Sequence, residues 1–230
     1  MNNQLRGLLY YFRTHMKRAF LIFWSILLGI TIITLVAAYI LRNEDGVMTF
    51  TFWIPMYFFC AIYGFTIVKK CIPYFLKIGA TRKNIFLGVG IFFSTVSATF
   101  ALLAAIFQSI ANLFVKQLNI DILSFIHIAM VYEDTWYNRW LIDFILMLVC
   151  FTFLFLLGLL FYKYGLLISG IVMGIVFFGL IFSAFKGWMA TFFQYIVNLD
   201  FHFIWQLALL AIILYGLSWL FLRKITTVRA

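Results

Sequence analysis

KKCIPYFLKIGATRKN, residues 69–84, carries five cations (Lys69, Lys70, Lys77, Arg82, Lys83), no acid, and one of the chain's two prolines. Apolar runs flank it on both sides, over residues 49–68 and 85–114. Each is at least as long as the roughly 20 residues a helix needs to cross a bilayer. A basic segment held between two such runs reads as a loop between membrane spans.

The rest of the chain agrees. Hydrophobic residues make up 66% and charged residues 10%, with mean hydropathy +1.10. Soluble domains are about half apolar and a quarter charged, so this chain has too little polar surface to cover itself in water. The apolar runs far exceed the roughly 10 residues of a barrel strand and do not alternate, so the spans are helices. The expected fold is an all-α integral membrane domain covering 1–230, with six spans at about 19–41, 49–68, 85–114, 140–162, 164–185 and 203–222.

Ahead of the first span, Leu5, Leu8, Leu9, Phe12 and Met16 recur at helical spacing while Arg6, Arg13 and Lys17 share another face. The pattern predicts an interfacial helix over 4–18, its cations toward anionic lipid headgroups. The run 19–41 exceeds the roughly 7–15 residues of a signal-peptide core, so it is expected to stay as a span. Pro55 falls inside the second span and predicts a kink there. In the third, Ser97, Ala101, Ala105 and Ser109 recur every fourth residue, a small-residue stripe suited to helix–helix contact. Gly170 and Gly174 form a GxxxG in the fifth span, a second close-packing candidate. Residues 186–202, aromatic but too short to cross, read as a re-entrant or interfacial segment between spans five and six.

Charge sets the orientation. With six spans, both termini share a side with Arg6, Arg13, Lys17, Arg18, the five loop cations, Lys163, Arg223, Lys224 and Arg229. The other side keeps only Arg42, Lys116, Arg139 and Lys186. The positive-inside rule places both termini and the 69–84 loop in the cytoplasm. Orientation and anionic lipid account for the net charge of +10 without nucleic acid.

No GxxxxGK[ST] phosphate loop, HExxH or GxSxG occurs, so the chain neither hydrolyses ATP itself nor carries a recognisable catalytic motif. Cys60, Cys71 and Cys150 have no disulfide or zinc spacing. His127 with Glu133 and Asp134 is a metal alternative on the outer side, against the much commoner reading as interfacial polar residues, and no metal is assigned. Asp143, a turn inside the outer boundary, is expected to snorkel or to pair with Arg139. No ionisable residue falls in the middle of a span, which disfavours a secondary carrier.

This layout resembles the ABC-2-type permeases, the bacterial membrane subunits of type V ABC exporters, whose ATPase is a separate chain. The local match is KIGATRKNIF, residues 77–86, similar to the G-(S/T)-R-(K/R) phrase after the second span of such permeases. The resemblance implies an elbow helix over 4–18 and a coupling loop over 69–84. It further implies a re-entrant piece over 186–202. Lys77, Ile78, Gly79, Thr81, Arg82, Lys83 and Phe86 would be the ATPase-coupling residues, with Gly79 turning the chain between helical pieces at 73–78 and 81–86. It implies two ATPase copies as partners, a second permease that is a copy or a paralogue, and a bacterial plasma-membrane location. ATP and magnesium would be bound by the ATPase, and this chain would bind no cofactor. The Phe-rich spans suit an amphipathic or hydrophobic cargo such as a peptide, an antimicrobial or a lipid-like molecule. The alternatives are a non-transporting sensor or immunity subunit and a secondary carrier.

Overall fold

The computed structural model describes residues 3–44, 46–120, 122–131, 135–185 and 202–225. Helices dominate: α1 (Asn3–Ile40), α2 (Trp53–Lys77), α3 (Arg82–Gln117), α4 (Trp136–Phe185) and α5 (His202–Leu222). Among the described residues, five helices are long and apolar enough to cross a membrane, α4 through its part Trp136–Leu167. The protein is a multi-pass helical membrane protein. The 186–202 segment read as re-entrant lies outside the described residues, except that α5 begins at His202.

Two compact units divide the chain, one of Met1–Phe59 with Leu87–Phe144 and one of Cys60–Phe86 with Ile145–Ala230. In the first unit, α1 is one continuous helix of 38 residues, about 57 Å at 1.5 Å per residue. The break expected between an interfacial helix and the first span does not occur. Nothing in residues 8–28 breaks a helix, since they contain neither glycine nor proline. The early apolar face is also not left to lipid. Leu5, Leu8 and Phe12 are buried over Gly88 of α3, where a Cβ would meet all three side chains at 3.5–3.7 Å. Phe12 stacks on Phe92, ring centroids 4.9 Å apart. Arg6, Arg13 and Lys17 are exposed.

Farther along the same unit, aromatic rings fill the core. Phe23 lies 4.6 Å from Phe59, Phe59 stacks on Phe100 at 5.3 Å, and Trp24 meets Phe107 at 5.2 Å. Part of the chain's phenylalanine is therefore committed to packing. Ser97, Ala101 and Ala105 are buried, and Ser109 is half-buried, its hydroxyl donating to Ala105 O of its own helix at 2.7 Å. The Trp140 indole donates to Ala98 O at 3.3 Å.

At the far end of this unit the two connections pair as a small parallel sheet. Strand β1 (Met48–Phe50) joins β2 (Leu123–Phe125) in the register Met48↔Leu123, Thr49↔Ser124, Phe50↔Phe125. A 3-10 turn, Ile128–Val131, follows. Phe52 and Phe125 stack beneath the pair at 5.5 Å. The connection from helix α3 to β2 starts at Asn119, which takes the left-handed conformation at φ 49°. Asn119 N–H bonds Lys116 O and Ile120 N–H bonds Val115 O, the paired bonds that close a helix C-terminus.

The second unit is built on a close crossing of α2 and α4. A Cβ at Gly64 would stand 2.8 Å from the Phe151 carbonyl oxygen, and one at Gly158 would stand 2.9 Å from Val68 Cγ2. These two glycines, rather than a GxxxG, let the helices touch. At Gly170 and Gly174 a Cβ meets nothing within 4 Å among the described residues. Helix α4 is broken at Gly165 (φ 82°, ψ −177°), a backbone region open essentially to glycine alone.

The prolines exchange roles. Helix α2 starts at Trp53, so Pro55 sits in its first turn, where no intrahelical N–H partner is lost and no kink is required. Pro73, expected at the start of a short helical piece, lies inside α2 and removes the bond its N–H would give the Lys69 carbonyl.

Candidate functional site

The segment 69–84 is not an open loop. Helix α2 carries Lys69 and Lys70 on its surface and ends at Lys77, and α3 begins at Arg82. Only residues 78–81 connect them. Gly79 takes φ 76°, which glycine adopts without the Cβ penalty. Gly79 N–H bonds Leu76 O at 3.2 Å and Ala80 N–H bonds Phe75 O at 2.9 Å, closing α2 as Asn119 closes α3. Thr81 then caps α3, its hydroxyl accepting from Asn84 N–H at 3.3 Å. A glycine C-cap followed at once by a threonine N-cap makes a tight helical hairpin.

The seven residues of this segment singled out by sequence divide into two groups. Arg82 and Phe86 are engaged within their own unit. Arg82 Nη2 donates to Ile225 O at 2.8 Å, just past α5. Phe86 stacks on Tyr215 of α5 with centroids 4.4 Å apart and meets Trp219 at 5.1 Å. The Tyr215 hydroxyl donates to Phe86 O. Lys77, Ile78, Gly79, Thr81 and Lys83 are exposed, with Ile78 at 59% and the nearby Tyr74 at 43%. The hairpin therefore presents an apolar tip between cations, braced from behind by α5. Tyr215→Phe removes a single hydrogen bond from this brace. It should lower the unfolding midpoint by an amount equivalent to about 1 kcal/mol, read by circular dichroism in detergent.

A second polar cluster lies at the sheet end of the first unit. Asp143 of α4 is 1% exposed and His127 is 2% exposed. Asp143 Oδ1 accepts from the Tyr57 hydroxyl at 2.6 Å, and His127 Nε2 stands 3.2 Å from the same oxygen. His127 Nδ1 accepts from the Ala129 N–H at 2.9 Å. The partners the structure gives Asp143 are thus Tyr57 and His127, far away in sequence, and the side chain is buried instead of snorkelling. Trp53 Nε1 donates to Ile126 O at 3.1 Å nearby. Glu133 and Asp134 lie outside the described residues.

Sequence reasoning missed this cluster because its three members are contributed by α2, a short connection and α4. The one available signal was a carboxylate a turn inside a span, since such groups are retained when something pairs with them. No protein-family model matches the chain, and the comparisons with curated proteins and with solved structures return no match.

Proposed function

We propose that this chain is the membrane-spanning permease subunit of an ATP-driven exporter of the ABC-2 kind. The exposed helical hairpin at 77–83 carries the reading. It combines an apolar tip, Ile78, with the cations Lys77 and Lys83 and with a rigid two-cap geometry, the properties a lever needs to be pushed by another protein. The chain has no phosphate loop of its own, so the partner would supply ATP and magnesium.

In this reading the part of α4 beyond Gly165 serves as a further span, giving six with both termini cytoplasmic in a bacterial plasma membrane. Two such chains, or one and a paralogue, associate with two ATPase subunits. Arg82 and Phe86 transmit motion from the hairpin to α5, while Lys77, Ile78, Thr81 and Lys83 meet the ATPase. The cationic α1 face at Arg6, Arg13 and Lys17 rests on anionic lipid. A hydrophobic or amphipathic cargo fits the apolar cleft of about 390 Å³ lined by Ile32, Leu35, Val36, Tyr39, Phe114 and Leu118, a size within the usual range of ligand pockets.

The test is co-purification from native membranes. The wild type is expected to bring down a nucleotide-binding ATPase, and Lys77→Glu/Lys83→Glu is expected to reduce recovery at least tenfold while still inserting. Equal recovery by both proteins sinks the coupling role. One observation favours a second reading, a secondary carrier: Asp143, within the apolar helix α4, is buried beside Tyr57 and His127 rather than exposed.

A further inference from the structure

Within the first unit, aromatic rings hold the earlier parts of α1 and α3 together. Phe12 stacks on Phe92 at 4.9 Å, and Trp24 meets Phe107 at 5.2 Å. Beyond Trp24, α1 has one aromatic left, Tyr39, among isoleucine, leucine, valine and small residues. Shorter side chains fill less of the space, and a cleft opens. Ile32, Leu35, Val36 and Tyr39 of α1 face Phe114 and Leu118 of α3 across about 390 Å³. The α1 members recur at the spacing of one helix face. All of the lining except Leu35 is exposed, and it is hydrocarbon apart from the Tyr39 hydroxyl.

A cation stands at the end of this cleft nearest the membrane boundary. Helical bonding continues just past Ile40, with Leu41 N–H on Ala37 O at 3.0 Å, and this brings Arg42 over Tyr39. The Arg42 guanidinium carbon lies 4.6 Å from the Tyr39 ring centroid. Among the described residues no carboxylate pairs with Arg42, the exposed Glu44 included. A guanidinium resting on an aromatic face keeps its N–H edge for an oxyanion, and phosphate matches that fork in two hydrogen bonds. From Arg42 the cleft runs along α1 for roughly 15 Å at 1.5 Å per residue. A charged head at the boundary followed by a hydrocarbon tail is the plan of a phospholipid. We infer that the α1–α3 cleft is a binding site for an anionic phospholipid, with Arg42 on its phosphate and an acyl chain along residues 32–39.

Lipid touches every exposed apolar face of such a chain, and side chains such as Ile62 and Ile212 need no site for that. Concavity and an unpaired cation at one end set the cleft apart. The charge also selects the headgroup. A net negative headgroup gains from Arg42, whereas a zwitterionic one carries its own cation, which Arg42 repels. In the orientation proposed above, Arg42 stands at the outer boundary, so the lipid belongs to the outer leaflet. The assignment rests on the export reading in taking this cleft as the place of the cargo, whose chemical class it names. Binding itself requires no ATPase.

The test uses the full chain in phosphatidylcholine nanodiscs. Each carries a trace of phosphatidylglycerol or of phosphatidylcholine bearing the same photoreactive acyl chain. After irradiation, adducts are mapped by mass spectrometry. Labelling within residues 32–39 and 114–118 should be about fivefold higher with the anionic probe, the ratio expected for one cation near a lipid surface. Labelling around Ile62 should not depend on the headgroup. Arg42→Gln should bring the cleft ratio close to one, and Val36→Trp, which fills the cleft, should remove most of the labelling there. Equal labelling of the cleft by the two probes, or a preference that survives Arg42→Gln, would overturn the proposal. Arg42 is exposed, so its replacement spares the packing. Should Val36→Trp fail to fold, the headgroup ratio and the Arg42→Gln variant still decide the matter. With no ATPase present, a missing preference refutes the ligand and leaves the co-purification result standing, and a failed co-purification leaves the lipid result standing.

Discussion

Gly64→Ala is expected to destabilise the protein by up to about 3 kcal/mol, the upper end of the range for forcing an extra carbon into a close-packed site. The added Cβ would stand 2.8 Å from the Phe151 carbonyl oxygen and 3.4 Å from its Cα. Both are backbone atoms, so no rotamer change relieves the clash and α2 and α4 must separate. Gly158→Ala should cost less, about 1 kcal/mol. Its nearest neighbours, Val68 Cγ2 at 2.9 Å and Cβ at 3.1 Å, belong to a side chain that can shift, though a β-branched one. Gly170→Ala should be neutral, or stabilise by up to about 1 kcal/mol through helix propensity, because a Cβ there meets nothing within 4 Å. Denaturant-unfolding midpoints of the three variants in one detergent provide the check. Equal midpoints for Gly64→Ala and Gly170→Ala would contradict the crossing described here.

Asp143→Ala is the second large effect. It removes the carboxylate that accepts from the Tyr57 hydroxyl and stands beside His127, in a region almost closed to solvent. The hydrogen bond lost is one to a buried charged group, so the variant should lose about 1.5–3 kcal/mol. Asp143→Asn keeps a carbonyl oxygen for Tyr57 and should lose less than half as much. Trp53, bonded to Ile126 O beside the cluster, gives a local signal: its fluorescence should change in Asp143→Ala and stay near wild type in Asp143→Asn. An Asn variant as damaged as the Ala variant would mean that the negative charge, rather than the hydrogen-bond acceptor, stabilises the site.

The membrane-embedded helical character was legible because apolar length is a coarse signal that tertiary packing cannot reverse. Gly79 was legible as a turn because helix ends favour glycine at a positive φ. What surrounded it was not. The cations at 69 and 70 suggested a loop, yet helix α2 runs through them, since lysine is a good helix former and its head reaches water from a helix surface. Pro73, read as the start of a separate helical piece, instead lies inside the same continuous helix. The small residues that matter most for α2 and α4, Gly64 and Gly158, stand in different helices and form no motif within either. At the GxxxG of 170 and 174, which does form one, a Cβ meets nothing within 4 Å among the described residues. Strands of three residues are too short to show a period, so the β1–β2 pair was invisible. The Tyr57–Asp143–His127 cluster depends on contacts across 16 and 86 positions, a separation that no local pattern encodes.

The proposed coupling function concentrates on Ile78, exposed at the tip of the hairpin and flanked by cations. A photoreactive amino acid placed at position 78, irradiated in native membranes, should join the chain to a nucleotide-binding ATPase identifiable by mass spectrometry. The same probe at Ile62, equally exposed but within the apolar part of α2, should not. Recovery of the ATPase from position 78 alone is the predicted result. Lipid adducts or the same product set from both positions would contradict it.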